Sequence, residues 1–241
     1  MKKPWKIPKR KQPVWNVFSK IVSPFLKAKT VINLNDTPMD EKCIIVSNHA
    51  NKTGPLILEL SLPIFHARWG AYQMLENYKE RFLYLRDVLY IRKNHMKKFR
   101  ATLKAFFEAF FWPMIYKGIK VIPSYPGAKM RKTIELSIQC LDENIAVSVS
   151  PENSNTGYHD ELVELYAGFV MMSEIYYAQR NVDLPIYPVY IGRIKRKKAI
   201  VIGKPMYVNE MKAEGFNRKE IAEQFRHAIN GLYLQYIKET Q

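Results

Sequence analysis

Short apolar runs rich in β-branched residues recur along the chain at 43–47 (CIIVS), 119–122 (IKVI), 145–149 (IAVSV), 185–191 (PIYPVYI) and 199–203 (AIVIG), each of strand length. Between and after them, apolar residues return at three-and-four spacing, which predicts helices over 55–62, 95–112, 129–142, 160–179 and 218–238. Asn217 stands just ahead of the last helix with Glu220 three places on, the pattern of a capping box. Nearly continuous apolar strands separated by helices of this length predict an α/β fold, a central sheet with helices on both faces. No repeat, low-complexity tract or Gly/Ser linker divides the chain, so residues 31–241 are expected to form one domain behind a distinct segment, 1–30.

Two stretches carry apolar stripes of a different character. Trp15, Phe18, Ile21, Val22, Phe25 and Leu26 follow helical spacing, interrupted late by Pro24, and are preceded by MKKPWKIPKRK, with six cations and no acid. A basic arm joined to a short aromatic amphipathic helix has the composition of an interfacial membrane anchor, with Trp5, Trp15, Phe18 and Phe25 as its lipid contacts. In the second stretch, 95–112, Met96, Phe99, Leu103, Phe106, Phe107, Phe110 and Phe111 form one stripe, closed by Trp112 and Pro113. Arg92, Lys93, Lys97, Lys98, Arg100 and Lys104 crowd its first half. Two readings stay open there: a core-facing helix with a solvated basic side, or an aromatic face that meets lipid or an acyl chain.

Charge narrows the partners. Thirty-eight Lys and Arg against 22 Asp and Glu leave +16, which calls for an anionic partner: nucleic acid, a membrane surface or a phosphorylated substrate. No helix-turn-helix pattern, zinc spacing or aromatic RNA-binding block is present, and the cations cluster beside aromatic amphipathic stretches, so no nucleic acid is expected. Cys43 and Cys140 lie inside apolar patterns and read as buried thiols of a reduced compartment. No run of about 18 uncharged apolar residues occurs, and the amino terminus lacks the apolar segment of a signal peptide. The expected location is cytoplasmic and peripheral to a membrane. The five histidines show no ligand-like pairing, so neither metal nor cofactor is expected.

Three blocks carry candidate chemistry. In VSNHANKTGP a strand ends at His49, and an imidazole, whose ordinary pKa lies near neutrality, can take a proton from an attacking hydroxyl. In VSVSPENSNTG a second strand ends at Pro151 and Glu152; if it lies parallel beside the first, Glu152 reaches the same sheet edge as His49. In LPIYPVYIG a proline-bracketed strand leads into RIKRKK, a charged hairpin tip. There Arg193, Lys195 and Arg196 would each contribute about 1 kcal/mol beside an anionic surface.

In this order the blocks resemble the glycerophospholipid acyltransferase superfamily, over roughly residues 40–207. Ser47, Asn48 and His49 match its Ser-Asn-His, but Gly54 stands where that family has Asp five residues after the His. Pro151 and Glu152 match Pro-Glu-Gly with Asn153 in place of the Gly, PIYPV is similar to PIVPV, and Gly203-Lys204-Pro205 resembles a closing Gly-x-Pro. Gly118 to Pro123 looks like the start of the block whose Arg holds the acceptor's phosphate. That Arg position falls near Tyr125 or Pro126, and Lys129 and Arg131 are the nearest cations. The resemblance implies a glycerolipid acyltransferase-like fold in which His49 deprotonates the hydroxyl of a lysophospholipid such as lysophosphatidic acid. That oxygen attacks the thioester of acyl-CoA or acyl carrier protein. Asn48, Lys129, Arg131, Pro151, Glu152, Asn153 and Ser154 become the expected substrate-binding residues.

Without the motif Asp, support of His49 falls to Asn51, Thr53 or Glu152, with Glu59 and Asp36 as further carboxylates. Loss of such support in a comparable triad costs on the order of 10⁴ in rate. An impaired relative that binds lipid or thioester without turnover is the alternative reading. Gly54 itself is expected to serve as a tolerated helix cap, with Pro55 at the first helical position.

Overall fold

A mixed seven-stranded sheet organises the chain, and the computed structural model describes residues 5–50, 53–153 and 159–238. Its strands are β1 (Thr30–Asn33), β2 (Ile44–Ser47), β3 (His66–Ala71), β4 (Val121–Ser124), β5 (Ala146–Val149), β6 (Ile186–Ile194) and β7 (Lys197–Ile202), in the order β1-β7-β6-β2-β5-β3-β4. All neighbours are parallel except the β6–β7 hairpin. The five expected strands are present. Two more, β1 and β3, lack apolar runs: β1 alternates at the sheet edge, and β3 buries His66 and Arg68.

The helices are α1 (Pro13–Leu26), α2 (Gly54–Ser61), α3 (Tyr78–Leu83), α4 (Lys98–Gly118), α5 (Met130–Asp142), α6 (Gly168–Arg180), α7 (Val208–Ala213) and α8 (Arg218–Tyr236), with a π-helical stretch, Tyr84–Lys93, ahead of α4. Successive strand residues point to opposite faces. Ile44 and Val46 join one core layer with Ile134, Phe169 and Phe225 of α5, α6 and α8, while Cys43 and Ile45 join the other with Ile57 and Leu58 of α2. Helices therefore cover both faces. Asn217 and Glu220 make the expected capping box at α8. Both cysteines are free and buried, and burial pushes their thiols upward.

Residues 160–167, expected to be helical, instead run outside any helix ahead of α6. Leu165 bridges Glu152, the Tyr166 N–H donates to the Pro151 carbonyl at 2.8 Å, and the Asn230 side chain holds the Leu162 N–H at 2.8 Å. These bonds supply the backbone partners that a helix would otherwise provide.

The β3–β4 connection builds a third small core from Met74, Leu85 and Tyr90 against Ala101, Ala105 and Ala109 of α4. The core-facing reading of the Phe stripe is therefore corrected. Those alanines, 0% exposed and four residues apart, let α4 approach the π-helical stretch closely, while Phe99, Leu103, Phe106, Phe107, Phe110 and Phe111 face outward. The helix also continues through Pro113 to Gly118.

The amino-terminal segment is docked on the body. The Trp5 indole donates to the Val121 carbonyl at 3.0 Å, and Arg10 pairs with Glu41 at 2.9 Å. The Trp15 ring covers Gly118, where even a Cβ would come within 2.0 Å of it, and Phe18 packs on Trp15 at 5.5 Å between centroids. Trp5 and Trp15 thus pack against the body of the protein, each still partly exposed, and Phe18 packs on Trp15 within α1. Phe25, 75% exposed, shares the outer side of α1 with Val14, Val17 and Ile21. Among the described residues, no helix is long and apolar enough to cross a membrane.

Candidate active site

β2 carries the chain to His49 through an anchored asparagine. Asn48 is 4% exposed; its amide accepts the Ile191 N–H at 2.7 Å and donates to the Ile191 carbonyl at 2.9 Å. It extends the β2–β6 ladder by one rung, so its expected substrate contact is replaced by a structural one. His49 follows, half-buried, and Ala50 turns the chain sharply with φ +46°. A left-handed non-glycine residue is an uncommon conformation, sustained where its surroundings dictate it.

The return of the chain explains Gly54. A Cβ there would lie 1.9 Å from the His49 carbonyl oxygen and 3.0 Å from the Ala50 Cβ. Residue 54 touches the main chain of the histidine itself, and no aspartate fits on this backbone. The cap of α2 is Thr53, one residue earlier than expected, with Gly54 as the first helical residue and no side-chain capping bond. Thr53 is exposed. Asn51 and Ser154 lie outside the described residues.

β5 is the parallel neighbour of β2, so Ser150, Pro151 and Glu152 leave the sheet at the same edge as His49. The Glu152 carboxylate accepts a hydrogen bond from the His49 main-chain N–H. Burial raises the Glu152 pKa, opposed by that N–H and by His159. Asn153 turns away, donating to Glu164 at 2.9 Å. Ser150 Oγ lies 3.1 Å from Ser47 Oγ and accepts from Arg68 Nη2 at 2.8 Å.

Behind this layer sits a buried polar cluster. Glu59 binds Lys120, lies 3.5 Å from His66 Nε2 and accepts from the Trp15 indole. Burial raises the Glu59 pKa and lowers those of Lys120, Arg68 (to about 10) and His66 (to about 3). Glu59, a reserve partner for His49 in the sequence, is thus engaged with Lys120 and His66, and Asp36 is exposed on the loop after β1.

His49 and Glu152 are among the residues lining a cleft of about 1350 Å³. Met74, Leu85, Leu89, Trp112 and Tyr116 wall it, and Tyr72 stacks on Tyr125 at 5.0 Å within it. Such volume exceeds the range of roughly 300–1,000 Å³ typical of small-molecule pockets and suits a long ligand. The cations lining it are Arg68, Arg92, Lys93 and Lys104. Burial first, and Arg92 second, lower the Lys93 pKa. Glu108 accepts from Tyr90 Oη and from Trp112 Nε1, the latter at 2.9 Å.

Lys129 and Arg131 are exposed around the start of α5 and do not line the cleft, which at that point is formed by Gly127 and Met130. Arg92 and Lys93, expected among the cations crowding the start of the Phe-rich helix, line the cleft instead, and Arg68 joins them there. The one available sequence signal for Arg68 was its place between apolar neighbours. Arg193 lies exposed near the end of β6, and Lys195 and Arg196 form the exposed β6–β7 turn; because β6 runs parallel to β2, that tip projects from the His49 edge.

No family model matches this sequence, and no curated protein matches it. A solved structure does resemble it: that of the 1-acyl-sn-glycerophosphate (LPA) acyltransferase PlsC from Thermotoga maritima superposes with a TM-score of 0.53, covering 93% of this chain and 80% of that one. The chain has the PlsC fold. At 15% identity the likeness to PlsC is one of backbone architecture, and it agrees with the glycerolipid acyltransferase-like sheet expected from the sequence blocks.

Proposed function

We propose that this protein is an O-acyltransferase working at a membrane surface, with His49 as general base. The observation that carries the reading is the placement of His49 and Glu152 on adjacent parallel strand ends, in the lining of a large, mostly apolar cleft in a PlsC-like fold. The imidazole takes the proton of a lysophospholipid hydroxyl as its oxygen attacks the thioester carbonyl of acyl-CoA or acyl carrier protein. The C–S bond then breaks, and the departing thiolate recovers the proton from the imidazolium. Glu152 supports this by holding the His49 main chain. Its contact is with the backbone N–H, so it acts as a positioning residue. Arg92, Lys93 and Lys104 are the cleft cations suited to a phosphate on acceptor or donor. No cofactor enters the scheme.

The test is transfer of a labelled acyl group from acyl-CoA or acyl carrier protein to lysophosphatidic acid in mixed vesicles. His49→Ala is expected to lower the rate on the order of 10²- to 10⁴-fold. A wild-type chain that acylates no acceptor with either donor, yet binds both lipid and thioester, would instead establish the non-catalytic reading. The Gly54 geometry, which excludes the motif carboxylate, is the observation that favours that second reading.

A further inference from the structure

We infer that the outward face of α4 is a docking surface for an anionic bilayer, which sets the cleft directly behind the lipid headgroups. The inference rests on the acyltransferase reading for what the cleft receives, and on the geometry of α4 for the surface itself. Phe99 is 81% and Phe110 73% exposed, and Leu103, Phe106, Phe107 and Phe111 are exposed with them. A helix on the surface of a water-soluble domain turns its large apolar residues inward. Here the order is inverted, with alanine toward the protein and phenylalanine toward solvent. The rings pair with one another, Phe106 with Phe107 and Phe110 with Phe111, edge to face at 5.5 and 5.3 Å. An apolar face of this extent marks an interaction site.

Charge identifies its occupant. Lys97, Lys98 and Arg100 are exposed at the start of α4, and no carboxylate follows until Glu108. Cations beside an aromatic face match a bilayer interface, where headgroup phosphates lie just above apolar chains. A second copy would bring another +16 against the same surface. The opposite side of the helix supplies Lys104, Glu108 and Trp112 to the cleft, so α4 is the partition between lipid and site. At its far end it meets α1, where Trp15 covers Gly118, and α1 exposes its own stripe of Val14, Val17, Ile21 and Phe25.

The test compares the full chain with the triple variant Phe107→Ser, Phe110→Ser, Phe111→Ser in sedimentation with phosphatidylglycerol-rich and pure phosphatidylcholine vesicles. Wild type is expected to prefer the anionic vesicles, with binding weakened by salt. The triple variant should lose on the order of 10²-fold in vesicle affinity and keep wild-type acyl transfer to a water-soluble short-chain acceptor, because none of the three residues lines the cleft. Vesicle affinity of the variant within twofold of wild type would overturn the inference. So would a wild-type dimer that the substitutions convert to monomer, since the face would then belong to a second copy. Absence of acyl transfer by wild type, with vesicle binding still dependent on these phenylalanines, would count against the acyltransferase reading and leave the surface standing.

Discussion

Gly54 is the residue on which the chemistry of this chain turns. A superfamily-like acyltransferase would carry aspartate there, which invites the idea that Gly54→Asp repairs a lost catalytic support. The backbone argues the opposite, because a Cβ at this position meets the carbonyl of the very histidine it would assist. Gly54→Asp is expected to destabilise the protein by about 1–3 kcal/mol, as overpacking does, and to lower acyl transfer by shifting His49. Thermal melts and initial rates check both; a rise in rate would show that the loop relaxes to admit the carboxylate.

At the scale of elements, the site is a junction of three strands, where β2 and β5 end beside β6. Asn48 ties β2 to β6 through Ile191, and Glu152 ties β5 to β2 through the His49 N–H. Glutamine at 152 keeps an acceptor for that N–H, whereas alanine leaves it without one at a cost of about 1–3 kcal/mol. Glu152→Gln should therefore retain most of the rate, and Glu152→Ala should lose on the order of 10²-fold through misplacement of His49. The charge has its own signature. Burial raises the Glu152 pKa, so this group favours the folded state below its unfolded pKa and that contribution is lost as pH rises through the folded value. Glu152→Gln should then melt at or above wild type at neutral pH, with the difference vanishing in acid. A steep rate loss in the Gln variant would assign the carboxylate a direct electrostatic role on the imidazole.

Across the whole molecule, the buried cluster beneath the site links fold to pH. His66 is held neutral by burial, with the nearby Lys120 as the next cause, and its pKa falls to about 3. The unfolded imidazole titrates near 6.5. Between those values the unfolded chain binds a proton that the folded chain refuses. Stability from this group is complete above about pH 6.5 and is lost as pH falls toward 3, by up to about 1.4 kcal/mol per pH unit. His66→Gln should flatten the dependence of melting temperature on pH between 6.5 and 5. An unchanged slope would place the acid sensitivity elsewhere.

The amino-acid sequence by itself determined the α/β class, five of the seven strands, the α8 capping box and the block that ends in His49. These follow from local periodicity and from residue types with few conformational alternatives. It did not reveal β1 or β3, because an edge strand alternates weakly and a strand built around His66 and Arg68 has no apolar run; the burial of those two side chains rests on Glu59 of the preceding helix and on Lys120, which is distant in sequence. It left the face of α4 open between two readings, since periodicity reports that a stripe exists and not which side the rest of the chain covers. Small alanines proved the better packing surface. It likewise named Lys129 and Arg131 by proximity along the chain, whereas the β3–β4 connection folds Arg92, Lys93 and Lys104 over the cleft. The substitution at residue 54 was visible in the sequence. Only the tertiary structure decided its meaning, because the obstacle to an aspartate is the main chain of His49 a single turn away in space.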